Sequence, residues 1–279
     1  MSIAICIFPV AKIPADEECY VVVTKEYADG REDVTRTFTP DTWQKLGSTL
    51  YYVSFNGIAA KEMSDKMYVQ VFNSQGQAIS EVWEDSIQDY LMRKFDSFNQ
   101  YQKTWAVDCL NYGAASQAQF NDYGIDNLAN SKLTAEQQAL ATQSITMTDK
   151  SNMGDKGVGA SLKLESSIEL VVFFKGITDK TGMYAEISFT NYKGDVKTSA
   201  ADAADFIPLG SFTGVSVKTM VAADVSQDIT VTMYNADGSV YGVIVDSVES
   251  YAARKSAESP LFEAVMKFGV AARTMFENQ

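Results

Sequence analysis

Asp85-Ser86-Ile87-Gln88-Asp89-Tyr90, with Arg93-Lys94 behind it, returns later in the chain as Asp246-Ser247-Val248-Glu249-Ser250-Tyr251 with Arg254-Lys255. A recurrence at this distance marks an internal repeat, and repeats decide how the rest of a chain is read. The correspondence continues forward. Leu110-Asn111-Tyr112-Gly113-Ala114-Ala115 falls on Met266-Lys267-Phe268-Gly269-Val270-Ala271, and Phe120 on Phe276. It also continues backward. Met67 to Gly76 aligns with Ile229 to Gly238, Ala60 to Ser64 with Ala222 to Ser226, and Val53 to Phe55 with Val215 to Val217. Cys19 to Val23 then falls on Met183 to Ile187, and Ser2 to Phe8 on Ser167 to Phe173. The same segments occur twice in the same order.

Within each copy the apolar residues first alternate and then switch to helical spacing. Ile3, Ile5 and Ile7 alternate up to Pro9, and Tyr20 to Thr24 is Val-rich before the turn Ala28-Asp29-Gly30. Asp-Gly favours a hairpin because both central positions of its turn want positive φ. Tyr68–Phe72 and Ala78–Trp83 flank Asn73-Ser74-Gln75-Gly76, and Ile229–Tyr234 and Val240–Val245 flank Asn235-Ala236-Asp237-Gly238. Short strands with frequent turns predict a sandwich. Ser86, Ile87, Tyr90 and Leu91, like Val248, Tyr251 and Ala252, then have helical spacing. A second helix follows in each copy, carrying Val107, Leu110 and Ala114 in the first and Phe262, Val265 and Met266 in the second. Gly113 and Gly269 inside these helices cost about 1 kcal/mol each against Ala. Their presence in both copies predicts close approach to the paired helix or the sheet.

The expected fold class is therefore mainly β with α (α+β): two tandem β-sandwich modules, each followed by a C-terminal helix pair. The expected bounds are residues 1–120, a linker over 121–158 and residues 159–279. In the linker, Thr134-Ala135-Glu136-Gln137 reads as a capping box opening a short helix to Thr142, and Thr148 to Gly159 reads as a flexible link. The second copy is led by Gly159 to Leu164, a half-strand with no counterpart ahead of Ser2. The expectation is that the first module extends upstream of Met1; the alternative is a first module without this half-strand.

Composition narrows the function. The 279 residues carry 36 acidic against 23 basic side chains, a net charge of −13, which argues against nucleic acid and anionic membranes as partners. No apolar run approaches the roughly 20 residues that span a bilayer. The opening residues Met1 to Ile5 lack the basic start and cleavage site of a secretion leader, which leaves the compartment open. There is no histidine, which removes the commonest general base and metal ligand. Three cysteines, Cys6, Cys19 and Cys109, have no metal-site spacing and align with Val171, Met183 and Val265. They read as buried small hydrophobes, with a Cys6–Cys19 disulfide as the alternative. Glu17, Glu18, Glu81, Glu84 and Asp85 read as an acidic surface. Glu81 falls on Gly242 and Glu84 on Val245, so no carboxylate pair is repeated for acid–base work. No catalytic residue, cofactor or metal is expected, although Asp122 and Asp126 are the right hard-oxygen type for calcium.

Recognition by aromatic rings is what remains, since sugars present apolar C–H faces to exposed Trp and Tyr. All three tryptophans lie in the first copy. Trp105 aligns with Leu261 and Trp83 with Ile244, so both read as core or helix-packing residues. Trp43, in Thr39-Pro40-Asp41-Thr42-Trp43-Gln44-Lys45-Leu46, has no aromatic counterpart. It is the leading binding candidate, or else a cap on the sandwich edge; Tyr51, Tyr52 and Tyr101 follow, with Phe98.

Trp105 to Gln117, Asp126 to Asn130 and Gly57 to Asp65 resemble a recurrent segment of large secreted proteins of gut-dwelling Gram-positive anaerobes. In those proteins such modules accompany dockerins, leucine-rich repeats, glycosidases or carbohydrate-binding modules. The resemblance covers most of the chain, but the second copy departs from it at Ala222-Ala223-Asp224-Val225. It implies an extracellular, surface-associated setting beside other domains of a larger parent protein, and it carries no catalytic residues. Three roles are open: a non-catalytic binding or adhesion module for a glycan or host protein, a structural spacer, or a binder of host immunoglobulin.

Overall fold

The computed structural model describes the backbone of residues 2–9 and the whole of residues 19–47, 50–218 and 220–278. The chain is mixed α+β and forms two compact units, residues 1–98 with 113–134 and residues 99–112 with 135–279. Residues 121–134 thus belong to the first unit and 135–158 to the second.

The first seven strands are β1 (Ser2–Pro9), β2 (Tyr20–Lys25), β3 (Val34–Phe38), β4 (Gln44–Leu46), β5 (Leu50–Asn56), β6 (Met67–Phe72) and β7 (Trp83–Asp85). They form two antiparallel sheets, ordered β1-β5-β4 and β3-β2-β6-β7. Two helices follow, α1 (Ile87–Lys94) and α2 (Gln100–Gln119), then the single turn α3 (Ala135–Gln138). The later strands are β8 (Gly157–Leu164), β9 (Ile168–Lys175), β10 (Tyr184–Thr190), β11 (Val196–Asp202), β12 (Ile207–Leu209), β13 (Phe212–Val217), β14 (Ile229–Tyr234) and β15 (Val240–Asp246). Their sheets run β8-β9-β13-β12 and β11-β10-β14-β15, and α4 (Val248–Lys255) and α5 (Pro260–Glu277) close the chain. Strand for strand the orders match, except that β8 has no counterpart among the described residues of the first half.

Register makes the match exact to the residue. Tyr20 stands opposite Phe72 and stacks on it at 5.4 Å; Tyr184 stands opposite Tyr234 and stacks at 4.8 Å. One alignment is corrected. Ile5 pairs with Val53 and Val172 with Val215, so Ile5 corresponds to Val172 and not to Leu170. The slide is two residues, which the sequence pattern cannot see because a strand repeats its faces with period 2. Cys6 accordingly matches Phe173. Its side chain, and with it a Cys6–Cys19 disulfide, lies outside the described residues. Cys109 is buried, and burial pushes its thiol up to about 12, as for an inert apolar filler.

The short helices start alike. Ser86 Oγ accepts the Asp89 N–H at 2.9 Å and Ser247 Oγ accepts the Ser250 N–H at 3.0 Å, each worth about 1 kcal/mol. The Asp before each cap is buried and paired eight residues on, Asp85 with Arg93 at 2.6 Å and Asp246 with Arg254 at 2.7 Å. Burial raises the Asp246 pKa while the Arg254 hydrogen bond opposes it. This ion pair explains why Asp-Ser…Arg was the clearest repeat.

Several expectations are corrected. Gly113 and Gly269 approach neither the paired helix nor a sheet, but a 3-10 turn. A Cβ on Gly113 would meet the Met63 sulfur at 2.7 Å and the Ala60 carbonyl at 3.2 Å; one on Gly269 would meet Val225 and, at 2.8 Å, the Ala222 carbonyl. The Asp29-Gly30 turn closes no tight hairpin: only Gly30 has positive φ (72°), donating to the Tyr27 carbonyl at 3.1 Å inside a longer loop. The strand expected over Ala78–Trp83 is only Trp83–Asp85, because Ser80 Oγ accepts the Val71 N–H at 3.0 Å in place of a ladder carbonyl.

The segment Thr148–Gly159 is not a free link. Asn152 exchanges two backbone hydrogen bonds with Val245, both 2.8 Å, and the Lys150 N–H donates to Ser250 Oγ at 2.9 Å. Glycines permit this path. A Cβ on Gly154 would sit 2.7 Å from the Val243 carbonyl, and one on Gly157 2.8 Å from Ile244. From there β8 runs on as the outer neighbour of β9.

Candidate functional site

Trp43 follows the 3-10 turn Pro40–Thr42 and immediately precedes β4. Its ring is half-buried, and its indole N–H donates to the Phe38 carbonyl at 3.1 Å. The ring faces Tyr51 of β5 with centroids 5.9 Å apart and planes at 57°, and Lys45 Nζ lies 5.7 Å over the Tyr51 ring. Tyr52 is next on the strand and therefore turns to the other face; its hydroxyl donates to Gln44 Oε1 at 2.5 Å. Tyr101 is exposed and lies in α2, in the stretch 99–112 that belongs to the second unit, and Phe98 is half-buried. Of the candidates named from sequence, Trp43 and Tyr51 are thus brought together. They form a small aromatic corner with the Lys45 ammonium beside it.

The other two tryptophans are not core residues. Trp105 is half-buried, and Trp83 is 42% exposed, with the Arg93 guanidinium 5.8 Å from its ring. Trp83 stands opposite Val69 as Ile244 stands opposite Val231, yet Ile244 is fully buried.

A buried charge cluster escaped sequence reasoning altogether. Lys25 ends β2 with its side chain 2% exposed, 2.5 Å from Glu62 and 3.5 Å from Asp65. Arg31, nearer the surface, holds the other Glu62 oxygen at 2.5 Å. The Ala59 N–H donates to Glu62 at 2.8 Å, and the Tyr123 hydroxyl donates to Asp65 at 2.7 Å. The Tyr27 ring lies under both cations, 4.2 Å from Lys25 Nζ and 3.8 Å from the Arg31 guanidinium. Burial pushes Asp65 up to about 6, against the pull of Tyr123 and Lys25. Burial also opposes ionisation of Glu62, but Lys25, the Ala59 amide and Arg31 outweigh it and hold that carboxyl below its ordinary range. Burial and the adjacent Asp65 keep the Tyr123 hydroxyl well above its ordinary value, so it stays a donor.

Two cations face two carboxylates here, and the innermost groups are out of solvent. Such a set roughly offsets its own desolvation, but removing one member leaves an uncompensated buried charge and is costly. In the second half Phe189 takes the place of Lys25, since Lys25 stands opposite Met67 as Phe189 stands opposite Ile229. The residue matching Glu62 is Asp224, also third in its 3-10 turn, which accepts the Val221 and Tyr192 N–H groups instead. The signal in the sequence was a lysine on the buried phase of an alternating strand.

Among the described residues no group of three Asp, Glu, Cys or His is placed to hold a metal ion. Asn121 and Asp122 are left-handed (φ 60° and 51°) and Asp126 lies in the 3-10 turn Ile125–Asn127, so these acidic residues serve a tight connection. No described helix is long and apolar enough to cross a membrane. No protein-family model matches the chain, and no curated protein matches it.

Proposed function

We propose that the chain is a non-catalytic extracellular binding module of a bacterial surface protein, with each half a β-sandwich closed by its helices and the first half carrying the recognition surface. The ligand we favour is a glycan. The observation that carries this reading is the Trp43–Tyr51 corner. The indole N–H is already satisfied by Phe38, so what the ring has to offer is apolar face, with Lys45 alongside for a hydroxyl. That combination of ring face and flanking polar group is how proteins hold sugars. In the second half the position of Trp43 is held by Phe206, which is buried where Trp43 is only half-buried. The absence of histidine and the burial of the cluster around Lys25 support the non-catalytic part.

Glycan-array screening followed by calorimetry tests it. Binding of one glycan class that Trp43→Ala weakens at least tenfold supports the reading; a host protein as the only saturable ligand, or no glycan at all, overturns the carbohydrate form. A second reading, a spacer that displays neighbouring domains, is favoured by the repetition of one sheet order in both halves and by the acidic surface. Any saturable ligand, immunoglobulin from host secretions included, defeats it.

A further inference from the structure

The end of β2 holds an amine, a carboxyl group and a proton carrier in contact, away from water. Lys25 stands opposite Met67 in the β2–β6 ladder, and the Glu26 N–H donates to the Lys66 carbonyl at 2.9 Å just beyond it. Asp65 lies two residues before Met67, so the ladder end itself brings it to Lys25. Lys25 Nζ is 3.5 Å from Asp65 Oδ2 and 2.5 Å from Glu62 Oε2, and the side chains of Lys25 and Asp65 are 2% and 0% exposed. The Tyr123 hydroxyl donates to the same Asp65 oxygen at 2.7 Å, and the Ala28 N–H to the other at 3.4 Å. The fold does not require an ion pair at this place, since Phe189 fills it in the second half. Buried ions add little net stability, because desolvation cancels most of their attraction. An amide between Lys25 and Asp65 would remove one buried charge of each sign and leave Glu62 balanced by Arg31.

We propose that Lys25 and Asp65 condense to an intramolecular isopeptide bond, with Glu62 as the catalytic proton carrier. Asp65 is the carboxyl that accepts the amine. Burial pushes it up to about 6, so its acid form, with a hydroxyl that can leave, is accessible near neutral pH. Against the cost of burial, Lys25, the Ala59 amide and Arg31 keep Glu62 ionised, which makes it a poor target for a nucleophile and a ready acceptor of a proton. The Lys25 ammonium passes one proton to Glu62, and the freed lone pair forms the Nζ–Cγ bond to the protonated Asp65 carboxyl. Negative charge gathers on Oδ2, where the Tyr123 hydroxyl donates. Glu62 hands its proton to the Oδ1 hydroxyl and takes a second one from Nζ. The Cγ–Oδ1 bond breaks with its electron pair, one water leaves, and Glu62 returns to solvent a proton equal to the one Asp65 took up. Nothing is oxidised or reduced. Once condensed, Asp65 has no carboxyl left to titrate, so the pH behaviour of that group belongs to the chain before this step. The second half, with Phe189 in place of Lys25, cannot form the bond.

Intact-mass spectrometry of the full chain tests this, on purification and after incubation of the folded chain at mildly acidic pH. The proposal expects a mass lower than that of the sequence by one water, and a protease map in which the peptide containing Lys25 is joined to the one containing Asp65. Lys25→Arg, which keeps the cation, should abolish the loss while circular dichroism shows the chain folded. Glu62→Gln should slow it at least tenfold. Should either variant fail to fold, the protease map of the parent chain decides. Full mass after prolonged incubation overturns the proposal. So does a missing water that maps to a succinimide at Asp29-Gly30 or Asp237-Gly238, which hydroxylamine cleaves, or a link from Lys25 to Glu62. A loss that persists in Lys25→Arg, or condensation of Glu62→Gln at the parent rate, overturns it as well.

Discussion

The two halves share their strand order, their capped short helices and the pairing of a buried Asp with an Arg nearer the surface, and they solve two local problems in opposite ways. Where the second half buries Phe189, the first buries Lys25 and surrounds it with Glu62, Asp65 and Arg31. Where the second half covers Ile244 with its own strap, the first leaves Trp83 in solvent. The lesson is that one backbone plan tolerates either an apolar or a charge-balanced filling at the end of β2, provided every partner is present. The covering strap, residues 152–164, by contrast has no counterpart among the described residues of the first half, whose other strands keep the same order.

Breaking the charge set should have the largest effect. Lys25→Met leaves Glu62 and Asp65 facing each other without the inner cation, and should cost about 3–5 kcal/mol in denaturant unfolding. The matching change Phe189→Leu should cost no more than about 1.5 kcal/mol. Equal losses would show that the buried ions carry no special weight. Next, Ile244→Ala should cost about 2–5 kcal/mol by opening a cavity, whereas Trp83→Ala, at a side chain 42% exposed, should cost less.

Asp65 sharpens the comparison through pH. Its folded pKa of about 6 lies above the ordinary 3.8, so the folded state binds the proton more tightly. Its contribution favours folding below the unfolded value and is lost as pH rises from 3.8 through 6, by at most about 3 kcal/mol at 1.4 kcal/mol per pKa unit. Glu62 has the opposite sign, since its lowered pKa contributes stability above its ordinary 4.5 that is lost as pH falls. Stability of Asp65→Asn followed from pH 4 to 6 should lack the decline that Asp65 imposes on the parent chain; identical pH profiles would contradict the assignment. Smallest and most alike, Ser86→Ala and Ser247→Ala should each cost about 1 kcal/mol, and a large inequality would break the equivalence of the two helix starts.

Much of this plan was legible because it rests on local rules. Asp-Ser…Arg fixes a cap and an ion pair within eight residues of sequence, and alternation in Met67–Phe72 and Ile229–Tyr234 fixes the buried faces. What was not legible depends on partners far away in sequence. Trp83 aligned with a core residue, but among the described residues no outer segment covers it as residues 152–157 cover Ile244. Thr148–Gly159 looked flexible because its polar residues and glycines carry no periodicity, yet those glycines are what let it lie against Val243 and Ile244. Lys25 lies on the buried phase of β2, but the carboxylates that pair with it come from a turn near residue 62 and leave no local signal beside it. Trp43 does have an aromatic counterpart, contrary to the expectation: Gln44 pairs with Tyr52 as Ile207 pairs with Gly214, which puts the buried Phe206 in its position, and the contact of Trp43 with Tyr51 follows from the pairing of β4 with β5.

The claim that the halves differ by one covering strap is tested most directly by hydrogen exchange of the full chain. The amides of β9, flanked by β8 and β13, should be protected to the limit set by unfolding of their unit. Those of β1, flanked among the described residues by β5 alone, should exchange at least tenfold faster. Equal protection of β1 and β9 would contradict the account.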